Sequence, residues 1–244
     1  MNKNALITGG TRGIGEAIAR EFAKKGYNLI INYVNSKEKA EKLKNELEEK
    51  YNIKVLTSQA DLADEKAIEN MVDIAIKKFG KIDVLVNNAG IVIDKEFEDR
   101  TIEDWKQILN INLIAPFILT KLIGKEMVKN KSGAIINISS TNGINTYYPT
   151  SVDYDASKSG LISLTYDSAV ELAPYVRVNC IAPGWVNTEM NKELPEDFVK
   201  EETERILVKR FAEPEEIAKV ATFLASDDAS FINSTVIKVD GGWY

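Results

Sequence analysis

Tyr154 and Lys158 are two side chains whose types and spacing could perform acid–base chemistry. Apolar residues recur at helical intervals over 154–173, which predicts a helix, and positions four apart lie on one face of it. A phenol with a pKa of about 10 exchanges protons poorly at pH 7, whereas a fixed ammonium beside it lowers that pKa. A shift of about three units needs roughly 4 kcal/mol, which one partly desolvated cation could largely supply. By itself the pair is better explained as a half-buried tyrosine beside a solvated lysine.

The residue counts exclude several classes of catalyst. The chain has no histidine and a single cysteine, Cys180. A histidine general base, a Ser-His-Asp hydrolase and most catalytic zinc sites, including that of a zinc-dependent alcohol dehydrogenase, are therefore excluded. No metal site is predicted, and proton transfer has to come from Tyr, Lys, Asp, Glu or water.

A glycine-rich turn near the start of the chain predicts a phosphate-binding site. Residues 4–8 have the composition of a short buried strand, residues 9–15 read Gly-Gly-Thr-Arg-Gly-Ile-Gly, and an amphipathic helix then runs to about Lys25. Strand, glycine turn and helix in this order are typical of a dinucleotide-binding fold. The glycines let the backbone approach a pyrophosphate, and the helix N-terminus offers unpaired N–H groups.

The end of the second predicted strand bears on the choice between NADP and NAD. In a dinucleotide fold an acidic residue at this point usually binds the ribose hydroxyls of NAD. Here strand 27–33 leads into Val34-Asn35-Ser36 without a carboxylate, and Arg12 in the glycine turn could pair with a 2′-phosphate. We therefore expect NADP(H) as the preferred cofactor, with NAD(H) as the alternative if Arg12 is only a solvated loop charge.

Strands and helices alternate along the rest of the chain. The predicted strands are 4–8, 27–33, 54–58, 82–87, 134–138, 176–181 and 235–239. The predicted helices after the first are 36–50, 65–79 with Asp64 as its cap, 101–110, 111–129 softly broken at Pro116, 154–173 and 214–226. This alternation predicts an α/β fold: a Rossmann-type doubly wound parallel sheet of about seven strands with helices on both faces. We expect one domain over residues 1–244, with the polar, irregular segment 186–212 as a substrate lid.

Net charge and hydropathy indicate where the protein works. The formal net charge of −6 argues against nucleic acid and an anionic membrane surface as partners. The uninterrupted apolar runs are too short to span a bilayer, and the N-terminal residues show no signal peptide. A single cysteine suits a reducing compartment. A cytoplasmic protein is therefore expected.

Two further polar residues could belong to a site. Ser140 follows strand 134–138, and ligands of doubly wound sheets bind outside the carboxyl ends of the strands. A serine there could donate to a substrate carbonyl. Asn112 lies among apolar neighbours on a predicted helix. Taken alone, Ser140 is better explained as a turn or cap residue and Asn112 as a hydrogen-bonded structural residue.

Together these motifs resemble the classical short-chain dehydrogenase/reductase family over essentially the whole chain. The motifs occur in the family's order and at about its spacings: the glycine turn at 8–15, Asp61-Leu62, Asn87-Asn88-Ala89-Gly90, Asn112, Ser140, Tyr154 with Lys158, and Pro183-Gly184 with Thr188. Within the family the chain looks most like the bacterial beta-ketoacyl-acyl-carrier-protein (3-oxoacyl-ACP) reductases, because the runs 210–218, 223–227 and 239–242 are close to theirs.

The resemblance implies a catalytic tetrad. Tyr154 would protonate the carbonyl oxygen, and Lys158 would lower the pKa of Tyr154 and bind the nicotinamide ribose. Ser140 would hold the carbonyl oxygen, and Asn112 would anchor a water that passes protons to Lys158. Ser140 is preferred to Ser139 because the family's serine sits one position after a small residue that ends the strand.

The resemblance also implies cofactor contacts along one edge of the sheet. Asp61 and Leu62 would flank the adenine, residues 88–90 the adenine ribose, and residues 183–188 the nicotinamide end. The full predicted set is Gly9, Thr11, Arg12, Gly13, Ile14, Gly15, Asn35, Asp61, Leu62, Asn88, Ala89, Gly90, Tyr154, Lys158, Pro183, Gly184, Val186 and Thr188. Because the family's assemblies are commonly tetramers, built on the helices of Asn112 and Tyr154 and on the C-terminal strand, a homotetramer or homodimer is expected.

Three functions are consistent with these residues. The first is NADPH-dependent reduction of a 3-oxoacyl thioester in fatty acid biosynthesis, with acyl carrier protein as a partner. The second is an NAD(P)-dependent carbonyl or alcohol dehydrogenase of a free sugar, polyol or steroid. Two departures from the carrier-protein reductases keep this alternative open: the run 147–153 differs from theirs, and Lys129 and Lys131 form only a thin basic patch for an acidic partner. The third is a dinucleotide-sensing protein without chemistry, against which the complete tetrad argues.

Overall fold

Seven parallel strands form one sheet in the computed structural model of the chain, which describes residues 2–192 and 194–244. The strands in the described residues are β1 (Asn4–Ile7), β2 (Asn28–Tyr33), β3 (Val55–Gln59), β4 (Val84–Asn87), β5 (Gly133–Ile138), β6 (Val176–Pro183) and β7 (Val236–Val239). Their order across the sheet is β3-β2-β1-β4-β5-β6-β7, and each neighbouring pair is parallel. The predicted Rossmann-type doubly wound sheet is confirmed.

The α-helices in the described residues are α1 (Gly13–Lys24), α2 (Lys37–Tyr51), α3 (Glu65–Phe79), α4 (Ile102–Leu109), α5 (Ala115–Lys129), α6 (Val152–Glu171), α7 (Glu196–Arg205) and α8 (Pro214–Ala225). Four of them, α3, α4, α5 and α8, begin where the sequence supplies a cap or a proline. Asp64 caps α3 by accepting from the N–H groups of Lys66 and Ala67, as predicted. Thr101 and Asp104 form a capping box at the start of α4.

Helices cover both faces of the sheet and close two apolar cores. Along β1, Ala5 and Ile7 belong to one core and Leu6 to the other. The first core is closed by α1, α2 and α8, and the second by α3, α5 and α6. Full burial of each large aliphatic side chain contributes about 1.5–3 kcal/mol, which is why these strands are apolar on both faces.

The strand order reverses beside β1. The chain winds outward from β1 to β3, crosses to β4 on the other side of β1, and continues to β7. The loops that follow β1 and β4 therefore leave the sheet in opposite directions and open a crevice at the carboxyl ends of the strands. Gly9, residues 11–15 and residues 88–92 line it.

The helical segment 101–129 differs from the prediction. A π-helical turn, Asn110–Ile114, joins α4 to α5 without a break, and Pro116 lies in the first turn of α5. The predicted soft break at Pro116 is therefore wrong. A proline lacks the N–H for the carbonyl of residue i−4, here Asn112, and its ring crowds that carbonyl. The π-helical turn is the local adjustment that accommodates the proline.

The same helical stretch, Ile102–Lys129, is long and apolar enough to cross a membrane by length and composition alone. Its uninterrupted apolar runs are short, so they do not indicate this property. Leu119, Ile123 and Met127 in this stretch are buried in the second core. A core helix satisfies the same criterion, so the stretch is a weak indication of a membrane.

The segment 186–212 is less irregular than expected, because it contains α7. Its two ends are held together: the N–H of Asn187 donates to the carbonyl of Ala212 at 2.8 Å, and the N–H of Ala212 donates to the carbonyl of Trp185 at 2.9 Å. The intervening residues therefore leave the sheet and return to it at one place, beside the end of β6.

Candidate active site

A cavity of about 700 Å³ opens at the carboxyl ends of the strands. Ser140 and every residue predicted to contact the cofactor line it: Gly9, Thr11, Arg12, Gly13, Ile14, Gly15, Asn35, Asp61, Leu62, Asn88, Ala89, Gly90, Tyr154, Lys158, Pro183, Gly184, Val186 and Thr188. Asn112 does not line it. The fold thus gathers residues from most of the chain into one crevice, at the place where doubly wound sheets bind ligands.

The glycine turn between β1 and α1 forms a cradle for an anion. No side chain in the described chain caps the N-terminus of α1, so the N–H groups of its first turn are available to a ligand. Gly9 and Gly13 have φ values of +61° and +52°, which favour glycine. A Cβ on Gly15 would collide with the carbonyl oxygen of Gly9. This turn therefore fits the pyrophosphate of a dinucleotide.

Thr8 and Asn88 hold the ends of β1 and β4 together across the crevice. Oγ1 of Thr8 accepts from the N–H groups of Asn88 and Ala89, at 2.9 Å each. Nδ2 of Asn88 donates to the carbonyl of Thr8 at 2.9 Å. Asn88 lines the cavity, but its amide is used to shape the glycine turn.

Arg12 lies on the cavity with Val34, Asn35 and Ser36 from the end of β2. Its side chain is exposed, and none of the ion pairs in the described chain involves it. A guanidinium in this position can bind a phosphate group through two parallel hydrogen bonds.

Lys158 and Tyr154 lie together in the first two turns of α6. Nζ of Lys158 is 5.5 Å from the centre of the Tyr154 ring and donates to the carbonyl of Ile138 at 2.8 Å. Burial lowers the pKa of Lys158 to about 8. Burial also raises the pKa of Tyr154 to about 12, opposed by a hydrogen bond with Ser140. The predicted lowering of the pKa of Tyr154 does not occur, because desolvation of the phenolate outweighs the hydrogen bond with Ser140.

The two serines after β5 have different partners. Oγ of Ser139 donates to the carbonyl of Lys158 at 2.8 Å and is buried. Oγ of Ser140 donates to Oδ1 of Asn142 at 3.2 Å, a local and easily exchanged partner. The same hydroxyl lowers the pKa of Tyr154 through a hydrogen bond. This difference supports the choice of Ser140 as the serine that faces a ligand.

Asn112 lies behind the cavity wall, fully buried in the π-helical turn. Oδ1 of Asn112 accepts from the N–H of Ile91 at 2.9 Å, and Nδ2 donates to the carbonyl of Ile91 at 2.9 Å and to Oγ of Ser157 at 3.1 Å. Its side chain therefore fixes the loop after β4 to α6. Its backbone carbonyl cannot accept an α-helical hydrogen bond from Pro116, because proline has no N–H.

Two clusters beside the site were not found from the sequence. Arg100 and Asp153 form a buried ion pair directly before Tyr154. Tyr148, Trp185, Phe198 and Trp243 line the cavity together. The members of these clusters do not recur at a regular spacing in the sequence, so nothing there indicates that they lie together in the fold. The departure of the run 147–153 from the family pattern was the one indication that this side of the cavity is unusual.

Comparisons with known proteins agree with this geometry. The family model described as enoyl-(acyl carrier protein) reductase matches residues 9–244. Curated relatives described as 3-oxoacyl-(acyl-carrier-protein) reductase include one from Staphylococcus epidermidis, 39% identical with 100% of both chains covered. Another, from Aquifex aeolicus, is 40% identical and covers 100% of this chain and 98% of its own.

Solved structures show the same architecture. A mutant short-chain dehydrogenase/reductase from Serratia marcescens matches with a TM-score of 0.93 and 34% identity, over 98% of this chain and 97% of its own. An acetoin dehydrogenase from Salmonella typhimurium matches with a TM-score of 0.88 and 31% identity, over 100% of this chain and 96% of its own. The chain belongs to the short-chain dehydrogenase/reductase family of oxidoreductases.

Proposed function

We propose that the protein reduces the ketone of a 3-oxoacyl thioester, such as 3-oxoacyl-ACP, to the 3-hydroxyacyl thioester with NADPH. The observation that carries the proposal is the convergence of Tyr154, Lys158 and Ser140 on the cavity that begins at the glycine turn. The curated relatives described as 3-oxoacyl-(acyl-carrier-protein) reductase, which match over the full length, support the substrate class.

The lining residues fit a nicotinamide dinucleotide phosphate. The uncapped N-terminus of α1 would hold the pyrophosphate, and Arg12 would pair with the 2′-phosphate. Asp61 and Leu62 would flank the adenine, and residues 183–188 the nicotinamide. When bound, the reduced nicotinamide supplies a hydride to the carbonyl carbon.

Tyr154 would give the proton to the carbonyl oxygen. With a pKa raised to about 12, its hydroxyl is protonated at neutral pH, as a proton donor must be. Ser140 would be a second donor to the same oxygen. Lys158, with a pKa lowered to about 8, is mostly charged at neutral pH and would stabilise the negative charge that develops there.

Asn112 would help to return the proton to Tyr154. Its side chain is occupied by Ile91 and Ser157, whereas its carbonyl lacks the α-helical partner that Pro116 cannot provide. A water held by that carbonyl would relay protons toward Lys158.

The remaining features concern the whole molecule. We propose one domain over residues 1–244 with the segment 186–212 as a lid, because Leu194, Pro195 and Phe198 line the cavity.

Exposed apolar side chains on the helices of Asn112 and Tyr154 support a homotetramer or homodimer: Ile114, Phe117, Tyr166 and Val170. A cytoplasmic location follows from the soluble reaction partners proposed.

A free carbonyl or alcohol substrate is the second candidate. Lys129, expected to help to dock an acidic carrier protein, is paired with Glu126, and Lys131 lies over the ring of Tyr175. A paired basic patch attracts an acidic partner less strongly. The match to an acetoin dehydrogenase agrees with a small free substrate.

The test is NADPH oxidation with acetoacetyl-CoA, with NADH and free hydroxyketones in parallel. Turnover of the thioester with NADPH, and much slower turnover with NADH, is expected. A protein that is inert toward the thioester but active on free carbonyls would establish the second candidate instead.

A further inference from the structure

The lid carries a buried carboxylate for which the proposed catalysis has no use. Glu202 lies in α7, a helix rich in charged residues, and its side chain is only 2% exposed. Its neighbours Glu201 and Glu204 are exposed. A carboxylate is removed from water only where charges or hydrogen-bond donors replace the lost hydration. The partners of Glu202 therefore show what it holds in place.

Three aromatic side chains from separate segments donate to one oxygen of Glu202. The indole N–H groups of Trp185 and Trp243 lie 2.7 and 2.8 Å from Oε2, and the hydroxyl of Tyr148 lies 3.0 Å from it. Arg205 donates to Oε1 at 2.9 Å. Burial alone would raise the pKa of Glu202, but these donors together hold it below its ordinary value. The group is a charged acceptor with all its partners supplied by the protein.

The same aromatic residues form one side of the cavity. We call Tyr148, Trp185, Phe198 and Trp243 the aromatic wall, since all four line the cavity with Tyr154. The ring centres of Trp185 lie 6.0 Å from Tyr148 and 5.4 Å from Phe198 in edge-to-face contacts. Because the hydroxyl and indole N–H groups are committed to Glu202, the wall offers the cavity mainly apolar ring surface.

Residues of the aromatic wall lie next to elements that form the proposed active site. Tyr148 lies in the loop that leads into α6, where its N–H donates to the carboxylate of Asp155 at 3.4 Å. Trp185 follows the end of β6. Trp243 is tied to the end of α7, where the N–H of Tyr244 donates to the carbonyl of Arg205 at 3.2 Å. Within residues 2–192 and 194–244, Glu202 is the one side chain that accepts hydrogen bonds from all three of these segments.

The charges around the cavity restrict what the wall can bind. The cations among its described lining residues are Arg12, in the glycine turn, and Lys158, beside Tyr154. An anionic substituent against the wall would have no partner there. An uncharged apolar chain would instead be removed from water against aromatic rings.

We propose that Glu202 is a positioning residue that fixes the aromatic wall against the reacting carbonyl, and that the wall selects substrates whose carbonyl carbon carries an extended apolar chain. This inference rests on the proposed function, since it names the part of a 3-oxoacyl substrate that the wall contacts.

The kinetic test compares Glu202→Gln with Glu201→Gln, which removes the same charge from an exposed position one residue away. Each protein is assayed with the 3-oxobutanoyl and 3-oxooctanoyl thioesters of N-acetylcysteamine. We expect the wild type to prefer the longer chain by about tenfold in kcat/KM, because buried methylenes give discrimination of this order. In Glu202→Gln the preference should largely disappear, through a higher KM for the long substrate, while the KM for NADPH is unchanged. Glu201→Gln should match the wild type.

A second readout does not need turnover. Two of the three tryptophans of the chain donate to Glu202, so the tryptophan emission spectrum should shift in Glu202→Gln and not in Glu201→Gln. If Glu202→Gln does not fold, Trp243→Phe removes one donor, keeps an aromatic ring, and should reduce the chain-length preference several-fold.

The outcomes separate the two proposals. A wild type that reduces no 3-oxoacyl thioester overturns the proposed function, and the emission spectra then decide whether Glu202 fixes the wall. A Glu202→Gln protein with the wild-type emission spectrum, or with the wild-type chain-length preference, overturns the role of Glu202. An equal rise in the KM values for NADPH and thioester would show general loosening of the site and would also overturn it.

Discussion

Arg100 and Asp153 form a buried ion pair that connects the loop after β4 to the first turn of α6. Nη1 of Arg100 lies 3.0 Å from Oδ2 of Asp153, and the two side chains are 2% and 0% exposed. Oδ1 of Asp153 accepts from the N–H of Tyr154 at 2.9 Å, and Arg100 also donates to the carbonyl of Ile93 at 2.8 Å. The backbone position of Tyr154 therefore depends on a pair that contacts neither cofactor nor substrate in the proposed mechanism.

Arg100→Met should destabilise the fold by about 3 kcal/mol or more, because it leaves the carboxylate of Asp153 buried without a counter-charge. It should also lower kcat, since Tyr154 loses its fixed position. Urea unfolding and steady-state kinetics measure the two effects. Glu103→Gln is the control, because the Glu103–Lys106 pair is exposed and should contribute less than about 0.5 kcal/mol. The double variant Arg100→Met/Asp153→Leu should be more stable than Arg100→Met alone. A double variant whose loss of stability equals the sum of the two single losses would contradict the coupling between Arg100 and Asp153.

Arg12→Ala should change the cofactor preference. The proposed pairing with a 2′-phosphate is a charge-assisted contact worth about 1.5–3 kcal/mol, so the KM for NADPH should rise roughly ten- to a hundredfold. The KM for NADH should stay the same, because NADH has no phosphate at that position. Lys25→Ala, which removes an exposed cation at the other end of α1, should leave both values unchanged. Equal effects of Arg12→Ala on both cofactors would exclude the pairing.

The buried charge of Lys158 should lower the free energy of unfolding at neutral pH. Its pKa is lowered from 10.5 to about 8 by burial. Between these values the native state binds fewer protons than the unfolded state, so stability rises with pH across this window, and below pH 8 the full cost is present. The cost is about 3 kcal/mol, offset by about 1 kcal/mol from the hydrogen bond to Ile138. Lys158→Met should therefore be about 2 kcal/mol more stable than the wild type in urea at pH 7, and this advantage should vanish toward pH 10.5.

The same titration should appear in the rate of reduction. As the pH rises through about 8, Lys158 loses the charge that would stabilise the reacting oxygen, while Tyr154, with a pKa raised to about 12, keeps its proton. A plot of kcat/KM against pH should thus be flat below about pH 8 and fall above it. Lys158→Arg, which retains its charge at high pH, should lose that fall even if its rate is lower. A fall at the same pH in Lys158→Arg would assign it to another group.

The sequence predicted the sheet because its signals are local. Apolar runs bounded by glycine turns marked the strands, and Asp64 marked the start of α3. Glu202 could not be recognised in the same way, because it shares a charged helix with exposed neighbours and is buried only by Trp185, Tyr148 and Trp243, which meet it in space.

Two other features could not be predicted, because they also lack a local signal in the sequence. The apolar period of α4 continues through α5, so it gave no sign of the π-helical turn that contains Asn112. The spacing of Tyr154 and Lys158 placed them on one face, but it could not give the pKa of Tyr154. That value depends on the surfaces that remove the phenol from water, which belong to other segments of the chain.

Tyr154→Phe decides between an enzyme and a protein that only binds a dinucleotide. Removing the proposed proton donor should lower kcat by several orders of magnitude, because phenylalanine has no hydroxyl that could give a proton to the carbonyl oxygen. NADPH affinity, measured by titration of the cofactor's fluorescence, should change little, since the glycine turn and Arg12 are untouched. Tyr147→Phe is the matched control, because Tyr147 is 76% exposed in the loop before α6. Turnover that persists in Tyr154→Phe would show that the proton comes from another group. A wild-type protein that binds NADPH but turns over no substrate would instead be identified as a sensor.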